Sequence, residues 1–503
     1  MNRFRLVQIT LAGCALAITG NSFASAELPP LAVQRSGMPA IIDNQQRTVL
    51  LRGVNLNALG DYYQANANYP TVIDASEHDF AEMAKLGMNV VRLVINWSAL
   101  QPERDHIDYD YIDRIKTMVG HAKKHGLYTI IDMHQDAWGK HIASNGSEQC
   151  GFFETSIGWD GAPQWATLTN GASTCRLRVR EISPAVATAF ENFWRNREGI
   201  QDELIKVWSV LAREFADEPA VAGYDLLNEP NFGLSVGISQ TLLMGNYYTK
   251  AIRAIRAAEK GVPGGFAHIA FFEPSVEWSA FGVTLMPLGL FLFDNNIVFA
   301  PHLYSGSITV TGTISAGYQA AKKVADLYRT PFWSGEWGWF GSAEESEPQI
   351  WAYAQHEDAY RIGGAVWQWK QACGDPHAQG IWYGREIEGE QNHVNITWCP
   401  GDLPLRVSPA YQRVLSRARP LYAPGELVAL RSNPYTGSMR LEGNAKADSN
   451  ASSNATLLLW VPEREGVVGP EVRGGEVQGI VEVPGGYHVS VRVASRYAVE
   501  VDY

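Results

Sequence analysis

The chain has 503 residues, 46% hydrophobic and 11% aromatic, with 16 Trp and 21 Tyr, a composition that excludes a disordered protein and suits a large globular one. Its formal net charge of −12, with no basic face along the chain, excludes a nucleic-acid partner, because phosphate binding needs clustered cations. A chain of this length accommodates one large barrel plus an appended domain.

The N-terminus reads as an export signal. Asn2-Arg3-Phe4-Arg5 supplies the positive segment, residues 6–18 the apolar one, and Ala24-Ser25-Ala26 a small-residue cleavage site, predicting a signal peptide over 1–26 and a secreted protein. The apolar stretch is too short, and too broken by Gln8 and Gly13, to span a bilayer. Leu11-Ala12-Gly13-Cys14 offers the alternative of a lipoprotein anchored at Cys14.

From residue 27 to 420, β-like runs alternate with amphipathic segments. The runs fall at 50–56, 89–95, 128–134, 221–229, 269–274, 297–304, 331–337 and 363–370, with helical segments such as 76–86, 109–125, 199–215, 242–260 and 316–327 between them. This pattern predicts an α/β fold, a (β/α)8 TIM barrel whose chemistry sits at the C-terminal strand ends. Those ends carry Asn55, Arg92, Asn96, His134, Glu229, Glu273, His302, Tyr304, Glu336 and Trp369. The stretch from His134 to about Ser183 exceeds an ordinary loop and is expected to build a binding wall. After Pro420, short alternating runs between Gly, Pro and Asn turns predict a C-terminal β-sandwich over 421–503, read as a structural cap. Cys150, Cys175, Cys373 and Cys399 remain after cleavage; in an exported chain they are expected to pair by proximity as Cys150–Cys175 and Cys373–Cys399. No CxxC or close Cys/His spacing supports a zinc site, and no cofactor or metal is expected.

Two strings carry the chemistry. Asn228-Glu229-Pro230 ends the fourth apolar run, and Glu336-Trp337-Gly338 the seventh. Two carboxylates at strand ends of one sheet are what glycosidic hydrolysis requires, one to donate a proton and one to attack carbon. Glu273, ending the fifth run, is a third candidate carboxylate; Asp294 and the run Glu344-Glu345-Ser346-Glu347 read as solvated surface.

With these motifs in place the sequence resembles glycoside hydrolase family 5. The matching residues are Arg52-Gly53-Val54-Asn55, Asn89-Val90-Val91-Arg92, Asp132-Met133-His134, Asn228-Glu229-Pro230, His302-Leu303-Tyr304, Glu336 and Trp367-Gln368-Trp369. Within the family it is similar to the endoglycoceramidases, through Asp132-Met133-His134-Gln135-Asp136, Asp160-Gly161-Ala162-Pro163-Gln164-Trp165-Ala166 and the β-rich tail. The resemblance implies a retaining enzyme in which Glu336 is the nucleophile and Glu229 the acid and base, with Glu229 held partly protonated and Glu336 ionised. Arg92 and Tyr304 are expected beside Glu336, Asn228 on the sugar 2-hydroxyl, and His134 and His302 around the two carboxylates. Trp369 is expected as the platform under the scissile sugar, and Trp165 and Asp136 as contacts to neighbouring hydroxyls. The bland alternatives are that Arg92 is only a structural ion-pair partner and Trp369 only core.

The implied substrate is a glycosphingolipid, glycan plus ceramide, taken by a monomer in transient contact with a membrane or micelle. Residues 281–293, with Val236-Gly237-Ile238 and Leu242-Leu243-Met244, are apolar enough to receive the lipid by burial, though helix faces packed on the barrel would look the same. Two other readings stay open: a β-glucanase or β-glucosidase of the same family with a sugar leaving group, and a non-catalytic carbohydrate- or lipid-binding barrel.

Overall fold

A computed structural model describes residues 28–502 apart from 178, 236, 283, 285, 309–311, 340–342, 379–388, 392, 403–404, 446–454 and 465–468. The expected signal peptide and Cys14 lie outside these residues.

The chain opens with three short strands, β1 (Leu31–Gln34), β2 (Ala40–Asp43) and β3 (Arg47–Val49), before entering the barrel. Eight parallel strands follow: β4 (Arg52–Leu56), β5 (Val90–Asn96), β6 (Tyr128–His134), β7 (Val221–Asp225), β8 (Ile269–Phe272), β9 (Ile297–Phe299), β10 (Ser334–Trp337) and β11 (Gly364–Val366). Each overlaps a predicted run. Their order is β10-β11-β4-β5-β6-β7-β8-β9, and parallel bridges Phe299–Phe332 and Leu303–Trp337 close the ring. Every residue of β5 and β6 is buried, as expected of strands covered on both faces. Close approach between strands demands glycine: a Cβ on Gly53 would lie 1.7 Å from the Val90 carbonyl oxygen.

Several of the helices between strands start on side-chain caps. Asp108 accepts from Tyr111 N at 2.9 Å to begin Tyr109–Lys124, and Ser183 precedes Pro184 at the head of Pro184–Trp194. Ser76 and Asp79 form a capping box on Glu77–Lys85. Among the described residues, no helix is long and apolar enough to cross a membrane.

Beyond the barrel come β12 (Gly389–Gln391), β13 (Asn395–Cys399) and β14 (Arg406–Val407), a small sheet of their own. The C-terminal β-sandwich follows as β15 (Arg419–Pro424), β16 (Glu426–Ser432), β17 (Met439–Asn444), β18 (Ala455–Pro462), β19 (Glu471–Val483) and β20 (Gly486–Val501). Strand β20 pairs with β18 along its first half and β17 along its second, so the sheet folds over a core of Leu427, Leu441, Leu457, Val489 and Val499. The sequence reading placed residues 27–49 with the barrel. They instead extend the C-terminal sheet, since β15 lies between β3 and β18. Three strands of three or four residues carry too few alternations to reveal which layer they join. The disulfides are Cys150–Cys175 and Cys373–Cys399, with Cα separations of 5.4 and 5.5 Å; the first ties down the long insertion after β6.

Candidate active site

The polar residues at the C-terminal ends of the strands converge on Arg92 of β5. Its guanidinium, fully buried, reaches Asp132 at 2.9 Å, Asp225 at 2.9 Å, Glu273 at 3.0 Å and Glu336 at 3.0 Å. It also donates to Asn55 Oδ1 at 3.0 Å and Asn228 Oδ1 at 2.9 Å. Burial opposes a charge here, but the four carboxylates outweigh it and raise the Arg92 pKa well above normal. One cation therefore organises strands one to five and seven around a single point.

Glu336 ends β10, and Glu229 follows β7. One carboxylate oxygen of each, together with His302, lies in a cluster whose atoms are all within 4.8 Å of one another. Glu336 is held from both sides, accepting from Arg92 Nη1 at 3.0 Å and Tyr304 OH at 3.0 Å. Glu229 meets His302 Nδ1 at 2.8 Å, Arg180 Nη2 at 3.7 Å and the Ser279 hydroxyl. Its own φ of 34° is left-handed, a conformation that non-glycine residues adopt at a cost and that clusters at functional sites. What holds it is Glu273, whose Oε2 accepts the Glu229 backbone N–H at 2.8 Å. Glu273 is not a second acid beside the first; it lies beneath the site, braced by Arg92 and by His302 Nε2 at 3.1 Å. Burial, first among the causes, pushes its pKa up to about 8.

The proton balance differs from the expectation of a partly protonated Glu229. Burial raises its pKa, but the hydrogen bond and charge of His302, with Arg180, more than reverse this and lower it. His302 is shifted well upward: burial opposes its charge, and Glu273 and Glu336 overcome that opposition. The His302–Glu229 pair thus keeps its proton on the imidazole.

A second ring of residues comes from the insertion and from the segment after β11. Asp136 pairs with Arg180 at 2.5 Å and with His377 Nε2 at 2.5 Å, while His377 Nδ1 meets Asp375 at 2.7 Å. His134 sits 2.6 Å from Asp132 and stacks on Trp367 at 5.2 Å between centroids. The donor sets His134–Asp136–His377 and Asp132–Asp225–Glu273 are close enough for a metal, but Arg180 and Arg92 already occupy the neutralising position in them.

The family model for cellulase (glycosyl hydrolase family 5) matches residues 42–373. The chain belongs to glycosyl hydrolase family 5. Its relatives include endoglycoceramidases. The endoglycoceramidase I of Rhodococcus hoagii (strain 103S) is 28% identical over 290 residues, covering 55% of this chain and 53% of the relative. That of Hydra vulgaris is 28% identical over 264 residues, 46% of this chain and 47% of the relative. The chain spans about half the length of these curated relatives. The crystal structure of an endogalactoceramidase is similar with a TM-score of 0.86 and 41% identity, over 94% of this chain and 100% of that one.

In this family 5 hydrolase the structure brings together Arg92, His134, Asp136, Asn228, Glu229, His302, Tyr304 and Glu336, as the sequence suggested. Two aromatic assignments are corrected. Trp369 points away from the site: it is buried, and its Nε1 donates to Asp79 Oδ1 at 2.9 Å. Trp367 takes that place, touching Val94 and Tyr304 and lying against His134 and His377. The Trp367–Gln368 peptide is cis. Two tryptophans two residues apart look alike to a strand pattern, which predicts one face for both, but β11 ends at Val366, before either of them. Trp165 packs edge-on against Trp97 and donates to the Gln101 carbonyl at 3.0 Å, outside the carboxylate cluster. Arg180 and His377 were not anticipated because each lies on a loop with no periodic signal, and Ser279 because its helix, Glu277–Phe281, is only five residues long.

His377 provides a measurable pH signature. Burial opposes its charge, but Asp375 and Asp136 prevail and raise its pKa from 6.5 to about 9. A raised pKa stabilises the fold fully below about pH 6.5 and loses that contribution as pH climbs through about 9, a total of up to about 3 kcal/mol. Denaturant unfolding of wild type should therefore weaken between those values more steeply than that of His377→Gln. Parallel curves for the two proteins would remove His377 from this role.

Proposed function

We propose that this protein is a secreted, retaining endo-glycosidase that hydrolyses the bond between the glycan and the ceramide of glycosphingolipids. Glu336 is the nucleophile, and its two hydrogen-bond donors, Arg92 and Tyr304, hold its carboxylate in place for attack. It forms a bond to the anomeric carbon as the bond from that carbon to the ceramide oxygen breaks. Glu229, after taking the His302 proton, gives it to that oxygen. Glu229 then takes a proton from water, the water oxygen attacks the anomeric carbon, and Glu336 leaves with the sugar's configuration preserved. Asn228, anchored by Arg92 and by its Nδ2 donating to the Gln135 carbonyl at 3.1 Å, is placed for the sugar 2-hydroxyl. Trp367 supplies the flat surface under the ring. The observation that carries the reading is the close carboxylate pair; retaining enzymes hold theirs at roughly 5 Å, whereas inverting enzymes leave about 6.5–9.5 Å for a water.

The lipid half rests on what adjoins the acid. Ser279, on the short helix Glu277–Phe281, touches Glu229, and Phe281 two residues later is exposed. Exposed Leu234, Ile238, Leu242, Leu288 and Leu290 lie on neighbouring segments after β7 and β8. The leaving group departs on the acid's side, so these side chains are where an aglycone gains by burial, about 25 cal/mol per Å². Phe281→Ser is expected to raise KM for a glycosphingolipid roughly 10-fold while leaving a water-soluble aryl glycoside unaffected. An equal effect on both substrates would sink the aglycone assignment.

The deciding experiment is incubation with gangliosides, galactosyl- and glucosyl-linked oligosaccharyl ceramides and β-glucans. The similarity to an endogalactoceramidase puts galactosyl-linked substrates first. Release of intact oligosaccharide plus ceramide is expected; cleavage of glucan alone would assign a sugar leaving group instead.

A further inference from the structure

Outside the barrel wall, between the strands and the C-terminal sheet, lies a cluster of charges that glycoside hydrolysis does not use. Arg52 begins β4, Glu357 and Asp358 sit on the helix Ala343–Tyr360, and Arg417 and Arg419 lie where the barrel passes into the sandwich. Arg52 Nη1 reaches Asp358 at 2.8 Å, and Arg417 Nη2 reaches Glu357 at 2.6 Å and Asp358 at 3.3 Å. All five residues are buried. Both carboxylates are thereby used by Arg52 and Arg417.

Arg419 is left over. It is 2% exposed, and its Nε and Nη2 have no hydrogen-bond partner among the described residues. It lines a cavity of about 10 Å³ with Arg52, Arg417, Glu357, Gly364 and Trp337, so three guanidiniums face one carboxylate there. Trp337, also buried, contributes a second donor to that wall, since its Nε1 likewise has no partner. Gly364 keeps the space open: a Cβ there would come within 3.1 Å of both Trp337 Cδ1 and Glu357 Oε1. A small space bordered by unused N–H donors, with three guanidiniums against two carboxylates in the surrounding cluster, is matched in charge and hydrogen bonding by an anion. Burial, and then repulsion from Arg52 and Arg417, disfavours the charged form of Arg419, which is the imbalance such an ion relieves.

We propose that this cavity binds one small monovalent anion, chloride or its equivalent, as a fixed structural ion joining the barrel to the C-terminal sheet. A ligand that binds only the folded protein raises its melting temperature with concentration. For a chain of this size, each tenfold rise in chloride beyond saturation is worth about 1–2 °C. The test compares full-length protein in sodium chloride and sodium gluconate at matched ionic strength, and measures anomalous scattering from crystals grown in sodium bromide. A melting temperature that climbs with chloride but not gluconate, with a bromide peak within hydrogen-bond reach of Arg419, is the expected result. Arg419→Met should abolish the chloride dependence. Equal melting in both salts, or density for water without a bromide signal, would overturn the proposal; the bromide experiment uses wild type, so it decides even if the variant fails to fold.

Discussion

Replacing Glu336 by Gln is expected to lower kcat for glycosphingolipid hydrolysis on the order of 10⁵-fold while leaving the fold and its melting temperature almost unchanged. Without the nucleophile no glycosyl-enzyme forms, and the remaining Arg92 and Tyr304 contacts only orient an amide. Glu229→Gln should behave differently. Its loss removes proton donation, worth about 10²–10⁴-fold, and the defect should shrink for an aryl glycoside whose leaving group needs no proton. The glycosyl-enzyme would then accumulate, and mass spectrometry of the quenched reaction would show the added sugar on the peptide containing Glu336. Substantial turnover by Glu336→Gln, or sugar found on another carboxylate, would reverse the assignment of roles. Glu273→Gln is the informative control: because Glu273 fixes the Glu229 backbone rather than the substrate, it should lower activity with both substrate types alike.

Arg92→Leu should cost about 3–5 kcal/mol or more of stability, the range found when one partner of a buried ion pair is removed. Asp132, Asp225, Glu273 and Glu336 would all lose the cation that balances them inside the barrel. Carboxylates stranded in this way have raised pKa values. Their burden is small where they are protonated and grows as pH rises, so the deficit relative to wild type should narrow towards pH 5. Arg92→Lys keeps the charge but not the fork that reaches six partners, and should fall between the two. Urea denaturation at several pH values measures this. A variant within about 1 kcal/mol of wild type at neutral pH would show that the carboxylates are neutralised some other way.

The barrel and its carboxylate pair were legible because both are written in local pattern. Fully buried parallel strands leave unbroken apolar runs such as 269–272, and Glu229 and Glu336 stand where two of those runs stop. Arg92 could be assigned to Glu336 on charge alone. What local pattern hides is anything fixed by loop geometry or by pairing across the chain. Arg180 reaches Asp136 and Glu229 from an irregular insertion, and its ring contact with Trp159 is between segments of that same insertion. Trp367 and Trp369 were interchanged because a strand-like alternation was carried past Val366, where β11 ends. The proton placement on His302 depends on three carboxylates from three different strands, a sum that no single motif contains.

The seam between β3 and β15 sets an order of events for the nascent chain. Thr48 donates to the Gly425 carbonyl across 377 residues, so β3, paired with β2 on one side, cannot be paired on its other side until nearly the whole barrel has followed. At about 5–20 residues per second that wait is roughly 20–75 s. For that interval the β1–β3 hairpins present the bare edge of β3 while the (β/α)8 ring is being completed, the situation in which unpaired edges seek wrong partners. They are short and carry Arg35 and Arg47 beside them, which limits what they can template. The last domain to emerge is thus the one that retires this early-made edge, and a chain cut short before residue 419 would keep it exposed for good.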